Sequence, residues 1–322
     1  MAPVVEVKNL KKHFDVPGGI LSAVDGVSFQ IEQGETIGVV GESGCGKSTL
    51  GRTIIHLEES TDGQILFQGE DVTRLKGHAL KRYREHVQMI FQDPYSSINP
   101  RMTIEETIKE PLKLSGRYNK SQLEDAVDQL MVRTGIEERL RLSYPHELDG
   151  GRRQRACIAR ALALNPDFIV CDEPVSALDV SIQAQILNLL MDIQEETGLT
   201  LMFITHDLSV VRHISHKIVV MYLGQLVETA STGDLFERPL HPYTRALLSA
   251  VPSTDIHNPS RRIILNGELS SPVNPKPGCR FRSRCPFACR GCVENQQLHE
   301  IEPGHFVACN RIEELTANNY FL

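Results

Sequence analysis

The sequence predicts an α/β fold: a parallel sheet around a phosphate-binding loop, with an antiparallel β region, a helical subdomain and a loop-rich, cysteine-bearing C-terminal extension. Three observations carry this. Residues 41–49 read Gly-Glu-Ser-Gly-Cys-Gly-Lys-Ser-Thr, the phosphate-loop pattern, between a strand-like run and a helical one. Strand-like and helical runs alternate from residue 4 to about 225. After about residue 235 prolines gather at 239, 242, 252, 259, 272, 275 and 277, and aliphatic periodicity fades.

In chain order, runs 4–7, 28–31, 36–40 and 64–68 are expected strands of a β-rich start. Runs 87–91, 168–171, 201–205 and 217–221 are apolar and bounded by turn or helix signals, as in a sheet buried on both faces. Residues 103–164 are mostly helical, and Ser121-Gln122-Leu123-Glu124 reads as a capping box opening one helix. Helices are expected at 49–54, 156–164, 181–196 with Gly198 ending it, and 243–250. The division predicted is 1–235 for the nucleotide-binding domain, with its helical subdomain at about 95–165, and 236–322 for the extension.

Composition sets bounds. Charged residues are 23% and the net charge is −7, so no nucleic-acid partner is suggested. No apolar run approaches the ~20 residues that span a bilayer, and the N-terminus lacks the pattern of a signal peptide. Eight cysteines are present and five fall within 279–309; in a reducing compartment such a cluster reads first as metal-binding.

The phosphate loop comprises Gly41, Ser43, Gly44, Cys45, Gly46, Lys47, Ser48 and Thr49. Phosphate is dense negative charge, and glycines let backbone N–H groups approach it while the following helix adds its positive end. Lys47 is expected on the β- and γ-phosphates of ATP and Ser48 on Mg²⁺. Phe168-Ile169-Val170-Cys171-Asp172-Glu173 is a buried strand ending in two acids. Asp172 would stand beside Mg²⁺, and Glu173 would polarise the attacking water.

Leu148-Asp149-Gly150-Gly151-Arg152 precedes a helix, and Gln92, the turn Ser176-Ala177-Leu178-Asp179 and His206 follow strand-like or acidic runs. With Phe14, these elements in this order resemble the ATP-binding-cassette (ABC) family. The resemblance implies that Phe14 stacks on adenine, Gln92 senses Mg²⁺ and couples to membrane subunits, Ser176–Asp179 is the D-loop and His206 is the switch histidine. It implies head-to-tail pairing of two such domains, with ATP between one loop and the other's signature. The signature departs from the family's Leu-Ser-Gly-Gly-Gln: Asp149 replaces the serine and Arg152 the glutamine. An ionised carboxylate cannot donate to a phosphate and repels it, although Arg152 or Arg153 can offset the charge. The ATP site that this signature faces is therefore expected to be degenerate.

Residues 241–248 read His-Pro-Tyr-Thr-Arg-Ala-Leu-Leu, followed by Pro277-Gly278-Cys279-Arg280-Phe281, Arg284-Cys285-Pro286, Cys292 and a run ending at Cys309. These are similar to the extension of the dipeptide/oligopeptide importer ATPases. Pro94–Arg101 and Val175–Ser181 look most like the F-type subunit. The resemblance implies a [4Fe–4S] cluster on Cys279, Cys285, Cys292 and Cys309, with Zn²⁺ as the alternative and Cys289 unassigned. It also implies a homologous D-type ATPase, two transmembrane permeases and, indirectly, an extracytoplasmic solute-binding protein as partners. The chain would then sit peripherally on the cytoplasmic face of the membrane. The same architecture could move nickel, a metal chelate or an antimicrobial peptide. A soluble non-transport ABC protein is the alternative of another class, disfavoured by the single cassette and the lack of heptads.

Overall fold

Four of the apolar runs become parallel strands of one sheet, and their side chains explain why. In the computed structural model, which describes residues 2–251, 262–265 and 271–317, strands β3 (Thr36–Val40), β7 (Phe168–Asp172) and β8 (Thr200–Ile204) are buried at every position. Successive side chains point to opposite faces. Ile169, Cys171, Leu201 and Phe203 thus enter one core, and Phe168, Val170, Met202 and Ile204 enter another. A strand covered on both faces must be apolar throughout, which is how these runs read.

The N-terminal part forms a separate four-stranded antiparallel sheet. Strand β1 (Val5–Val16) pairs with β2 (Gly19–Ile31) on one side and β4 (Asp62–Phe67) on the other, with β5 (Glu70–Asp71) at the edge. Both β1 and β2 are longer than their apolar runs, because a two-stranded pairing carries them past the buried positions to the Val16–Gly19 end. The larger sheet has eight strands. Its order is β11 (His299–Glu302), β12 (His305–Val307), β10 (Gln225–Ser231), β9 (Lys217–Tyr222), β3, β8, β7 and β6 (Val87–Ile90). Pairings from β9 to β6 are parallel, and those from β9 to β11 are antiparallel.

Helix α1 (Lys47–Ile54) follows the phosphate loop, and α2 (Gly77–His86) precedes β6. The short α3 (Pro94–Ser97), α4 (Ile104–Ser115), α5 (Lys120–Arg133) and α6 (Gly150–Leu162) build the helical subdomain. Its core includes Ile108, Leu112, Val127, Met131 and Ile158. The capping box of α5 lies two residues earlier than expected, on Asn119 and Gln122. Asn is as strong an N-cap as Ser, and the earlier start leaves Glu124 free to accept from Lys109 of α4 at 2.6 Å. Helix α6 begins at Gly150 rather than 156, because Asp149 caps it.

Helix α7 (Val180–Thr197) ends at Gly198 in the left-handed region, as the sequence predicts. Helix α8 (Leu208–Ile214) follows β8, and α9 (Thr232–Glu237), α10 (Pro242–Ser249) and α11 (Ile312–Ala317) lie in the last third. Pro252 and Pro259 fall outside the described residues.

Residues on both sides of 235 share the large sheet, since β12 pairs with β10. Buried Glu228 of β10 accepts from the backbone N–H groups of Leu240 (2.7 Å) and His241 (2.9 Å), and its carboxylate lies 2.7 Å from His305 Nε2. Phe281 packs edge-on against Tyr222, with ring centres 5.3 Å apart, and lies 5.4 Å from Tyr243. Among the described residues no helix is long and apolar enough to cross a membrane.

Candidate active site

Parallel strands deliver their carboxyl ends to one edge of a sheet, where α/β proteins bind ligands. Here β3 leads into the phosphate loop, β6 towards Gln92, β7 into Asp172–Glu173 and β8 towards His206. They open on a cleft of about 400 Å³ whose lining includes Phe14, Lys47, Ser48, Gln92, Glu173 and His206. Ser43, Gly44, Cys45, Gly46 and Thr49 line it as well.

The loop is shaped by glycines. A Cβ on Gly46 would lie 2.0 Å from the Ala23 carbonyl oxygen, and φ at that residue is +106°. Gly41 is confined by the Met221 carbonyl, whose oxygen would lie 2.2 Å from a Cβ there. Gly46 caps α1 without a side chain, and no acidic residue stands in the first turn of that helix. The positive helix end therefore faces the cleft with no acidic residue of its own against it. Lys47 is buried and donates to the carbonyls of Gly41 (2.8 Å) and Glu42 (3.1 Å). Burial pushes the Cys45 thiol above its usual range, so it is a neutral packing group within the loop.

Ser48 Oγ donates to Asp172 Oδ1 at 2.6 Å, and Arg52 Nη2 lies 3.4 Å from Asp172 Oδ2. Burial raises the Asp172 carboxyl, against the pull of Ser48 and Arg52. Glu173 adopts φ +46° and donates its N–H to the Ile204 carbonyl at 2.9 Å. This left-handed backbone costs a non-glycine residue about 1–3 kcal/mol. Gln92 Nε2 donates to Glu173 Oε2 at 2.9 Å, and His206 Nδ1 lies 3.2 Å from Glu173 Oε1. The three expected catalytic side chains thus meet at one carboxylate.

Leu148, Asp149, Gly150, Gly151 and Arg152 do not line this cleft, and neither do Ser176, Ala177, Leu178 and Asp179. The two segments pack on each other: a Cβ on Gly150 would meet Leu178 at 3.0 Å, and one on Gly151 would meet Ile182 at 2.7 Å. Asp149 accepts from the Arg152 N–H at 2.8 Å and from its guanidinium at 3.0 Å, while Arg152 also donates to Glu137 at 2.9 Å. The acid in the signature is a helix cap and one member of an exposed charge network.

The cysteine expectation is corrected. Among the described residues no three His, Cys, Asp or Glu side chains are disposed to hold a metal ion. Neither a [4Fe–4S] cluster nor Zn²⁺ on Cys279, Cys285, Cys292 and Cys309 is supported. Burial pushes the Cys279 and Cys285 thiols up to about 11 and raises Cys292 and Cys309 too. Cys279 and Cys285 pack against the main core, and Cys309 against the cluster of Leu240, Val307 and Ile312. Cys289 and Cys292 approach at 3.8 Å between sulfurs.

Sequence reasoning missed several contributors. Arg52 sits one turn after Ser48, a spacing that could have placed it beside Asp172. Leu223, Gly224 and Pro272 line the cleft from distant parts of the chain without any motif.

Comparison with known proteins agrees with this geometry. Residues 24–176 match the family model described as ABC transporter, and residues 227–292 match the oligopeptide/dipeptide transporter C-terminal region. The chain is 53% identical to the putative oligopeptide transport ATP-binding protein YkfD of Bacillus subtilis, covering 96% of this chain and 95% of that protein. It is 48% identical to the oligopeptide transport ATP-binding protein OppF of Salmonella typhimurium, covering 97% of each. Among solved structures it resembles the dimeric post-hydrolysis state of the ATP-binding cassette MJ0796 bound to ADP and Pi. The TM-score is 0.66 at 30% identity, covering 71% of this chain and 98% of that one.

Proposed function

We propose, from the premise that this chain belongs to the ABC transporter ATPases with an oligopeptide/dipeptide-type C-terminal region, that it hydrolyses ATP to power peptide import. The observation that carries the cargo class is similarity along nearly the whole chain to oligopeptide transport ATP-binding proteins. ATP hydrolysis coupled to transport is the activity of the family. The cargo, the subunit partners and the residue roles are our reading. Residues 1–235 would form the nucleotide-binding unit and 236–322 the extension.

Phe14 would stack on the base. The loop N–H groups and Lys47 would hold the phosphates, and Thr49 would add its N–H. Ser48, Asp172 and Gln92 present a hydroxyl, a carboxylate and an amide oxygen. This all-oxygen set suits a small hard cation such as Mg²⁺, which would neutralise phosphate charge. Glu173 would orient the attacking water, and its bonds to Gln92 and His206 keep its carboxylate at the cleft. His206 would contact the γ-phosphate. Positioning and charge stabilisation supply most of the rate in such chemistry.

Leu148–Arg152 and Ser176–Asp179 share a surface outside the cleft, an arrangement suited to a partner ATPase's nucleotide. The partner would be a second, homologous ATPase, with two membrane permeases that receive peptide from a solute-binding protein. Asp149 in place of a hydroxyl would weaken the partner's site, leaving the ATP on Lys47 as the one turned over. In the assembled transporter, Glu173→Gln is expected to lower peptide-stimulated ATPase at least 100-fold and to stop uptake of labelled peptide. The matching change in the partner is expected to cost less than tenfold. Equal losses would refute the unequal pair, and intact transporter that takes up no peptide would refute the cargo.

A further inference from the structure

We propose that Arg284 and Tyr243, in the C-terminal third of the chain, are positioning residues for ATP binding that fix the phosphate loop through Glu42. Glu42 is the second residue of that loop, and the structure engages each of its polar groups. Its N–H donates to the Tyr243 hydroxyl at 2.8 Å. Its carboxylate Oε2 accepts from Arg284 Nη1 at 2.8 Å. Its carbonyl accepts from Lys47 Nζ at 3.1 Å and from the Cys45 N–H at 3.2 Å. Two contacts thus come from the C-terminal side, and two run into the residues that meet phosphate.

The anchors are themselves rigid. Tyr243 is fully buried against Tyr222 and Phe281, and the Arg284 side chain is 10% exposed. On the same turn, Arg280 bonds the Leu223 carbonyl and pairs with Asp25. Leu223 lines the cleft. One turn therefore touches the phosphate loop at Glu42 and the cleft lining at Leu223. Neither Arg284 nor Tyr243 lines the cleft, so they act through Glu42 and not on the nucleotide. A charged hydrogen bond shielded from water holds geometry better than an exposed one. A loop whose N–H groups must converge on phosphate gains affinity from being held in advance. This assignment depends on the ATPase activity and not on the cargo or the partner.

The test is equilibrium titration of the full chain with a fluorescent ATP analogue and Mg²⁺, at a temperature where circular dichroism shows each variant folded. Arg284→Ala is expected to weaken binding about tenfold and Tyr243→Phe about threefold, with Arg284→Lys recovering most of the loss. Glu42→Ala combined with Arg284→Ala should bind no more weakly than Arg284→Ala alone, since both remove one contact. Unchanged affinity in folded Arg284→Ala, or losses that multiply in the double variant, would overturn the proposal. If Arg284→Ala does not fold, unchanged affinity in folded Tyr243→Phe overturns it equally.

Discussion

At Gly46 the site depends on one missing carbon. The residue sits at φ +106° with the Ala23 carbonyl 2.0 Å from where a Cβ would stand. Gly46→Ala must therefore displace backbone and not merely a flexible side chain. ATP affinity is expected to fall at least 100-fold, read by nucleotide titration, while far-ultraviolet circular dichroism stays native. Near-native affinity would mean that the loop can relax around the methyl group. This glycine was legible in the sequence, as were Lys47, Ser48, Asp172, Glu173, Gln92 and His206, because each belongs to a short local pattern. Arg284 was not legible as a partner of Glu42, since 242 residues separate them and neither type is unusual at its position. Asp149 was legible as a departure in the signature, but its role as the cap of α6, closed by Arg152, needed the backbone.

Among the elements, α10 has the least ordinary start. His241 caps it, accepting the Tyr243 N–H at Nδ1 over 3.1 Å, which requires a neutral ring. Burial lowers this histidine from 6.5 to about 4. Between those values the unfolded chain binds the proton and the folded chain does not. Stability is therefore whole above pH 6.5 and declines as pH falls towards 4, by on the order of 3 kcal/mol from this group. His241→Asn keeps a capping acceptor and removes the titration. Its urea midpoints from pH 6.5 to 4 should fall less steeply than those of the unsubstituted chain, and equal slopes would exclude His241 as the source. The central strands were readable because burial on both faces leaves an unbroken apolar run. Strands β11 and β12 were not, because they are short, edge-placed and half polar, and their pairing with β10 is a tertiary fact. The capping box of α4 on Thr103 and Glu106 also went unread, within a stretch recognised only as helical.

For the molecule as a whole, the fold class and the order of its parts were legible, but the engagement of the extension with the core was not. Proline density and fading periodicity predict a loop-rich extension but carry no signal of where it docks, and its contacts are not left to solvent. Instead β12 continues the main sheet, Phe281 enters the aromatic group with Tyr222 and Tyr243, and Glu228 ties β10 to Leu240, His241 and His305. Such shared burial couples the unfolding of both parts. Calorimetry is expected to show one endotherm, shifted upwards as a unit by ATP and Mg²⁺. Two separated transitions, with only the first responding to nucleotide, would contradict this.

The contact between Arg284 and Glu42 also bears on exchange between relatives. A chimera that grafts another importer's tail onto this cassette would part Tyr243 and Arg284 from the glutamate they contact. Its ATP site would be disturbed even if its tail folded well, so a fault in energy use could be misread as a fault in cargo choice. Successful grafts should carry the tyrosine, the arginine and the glutamate together.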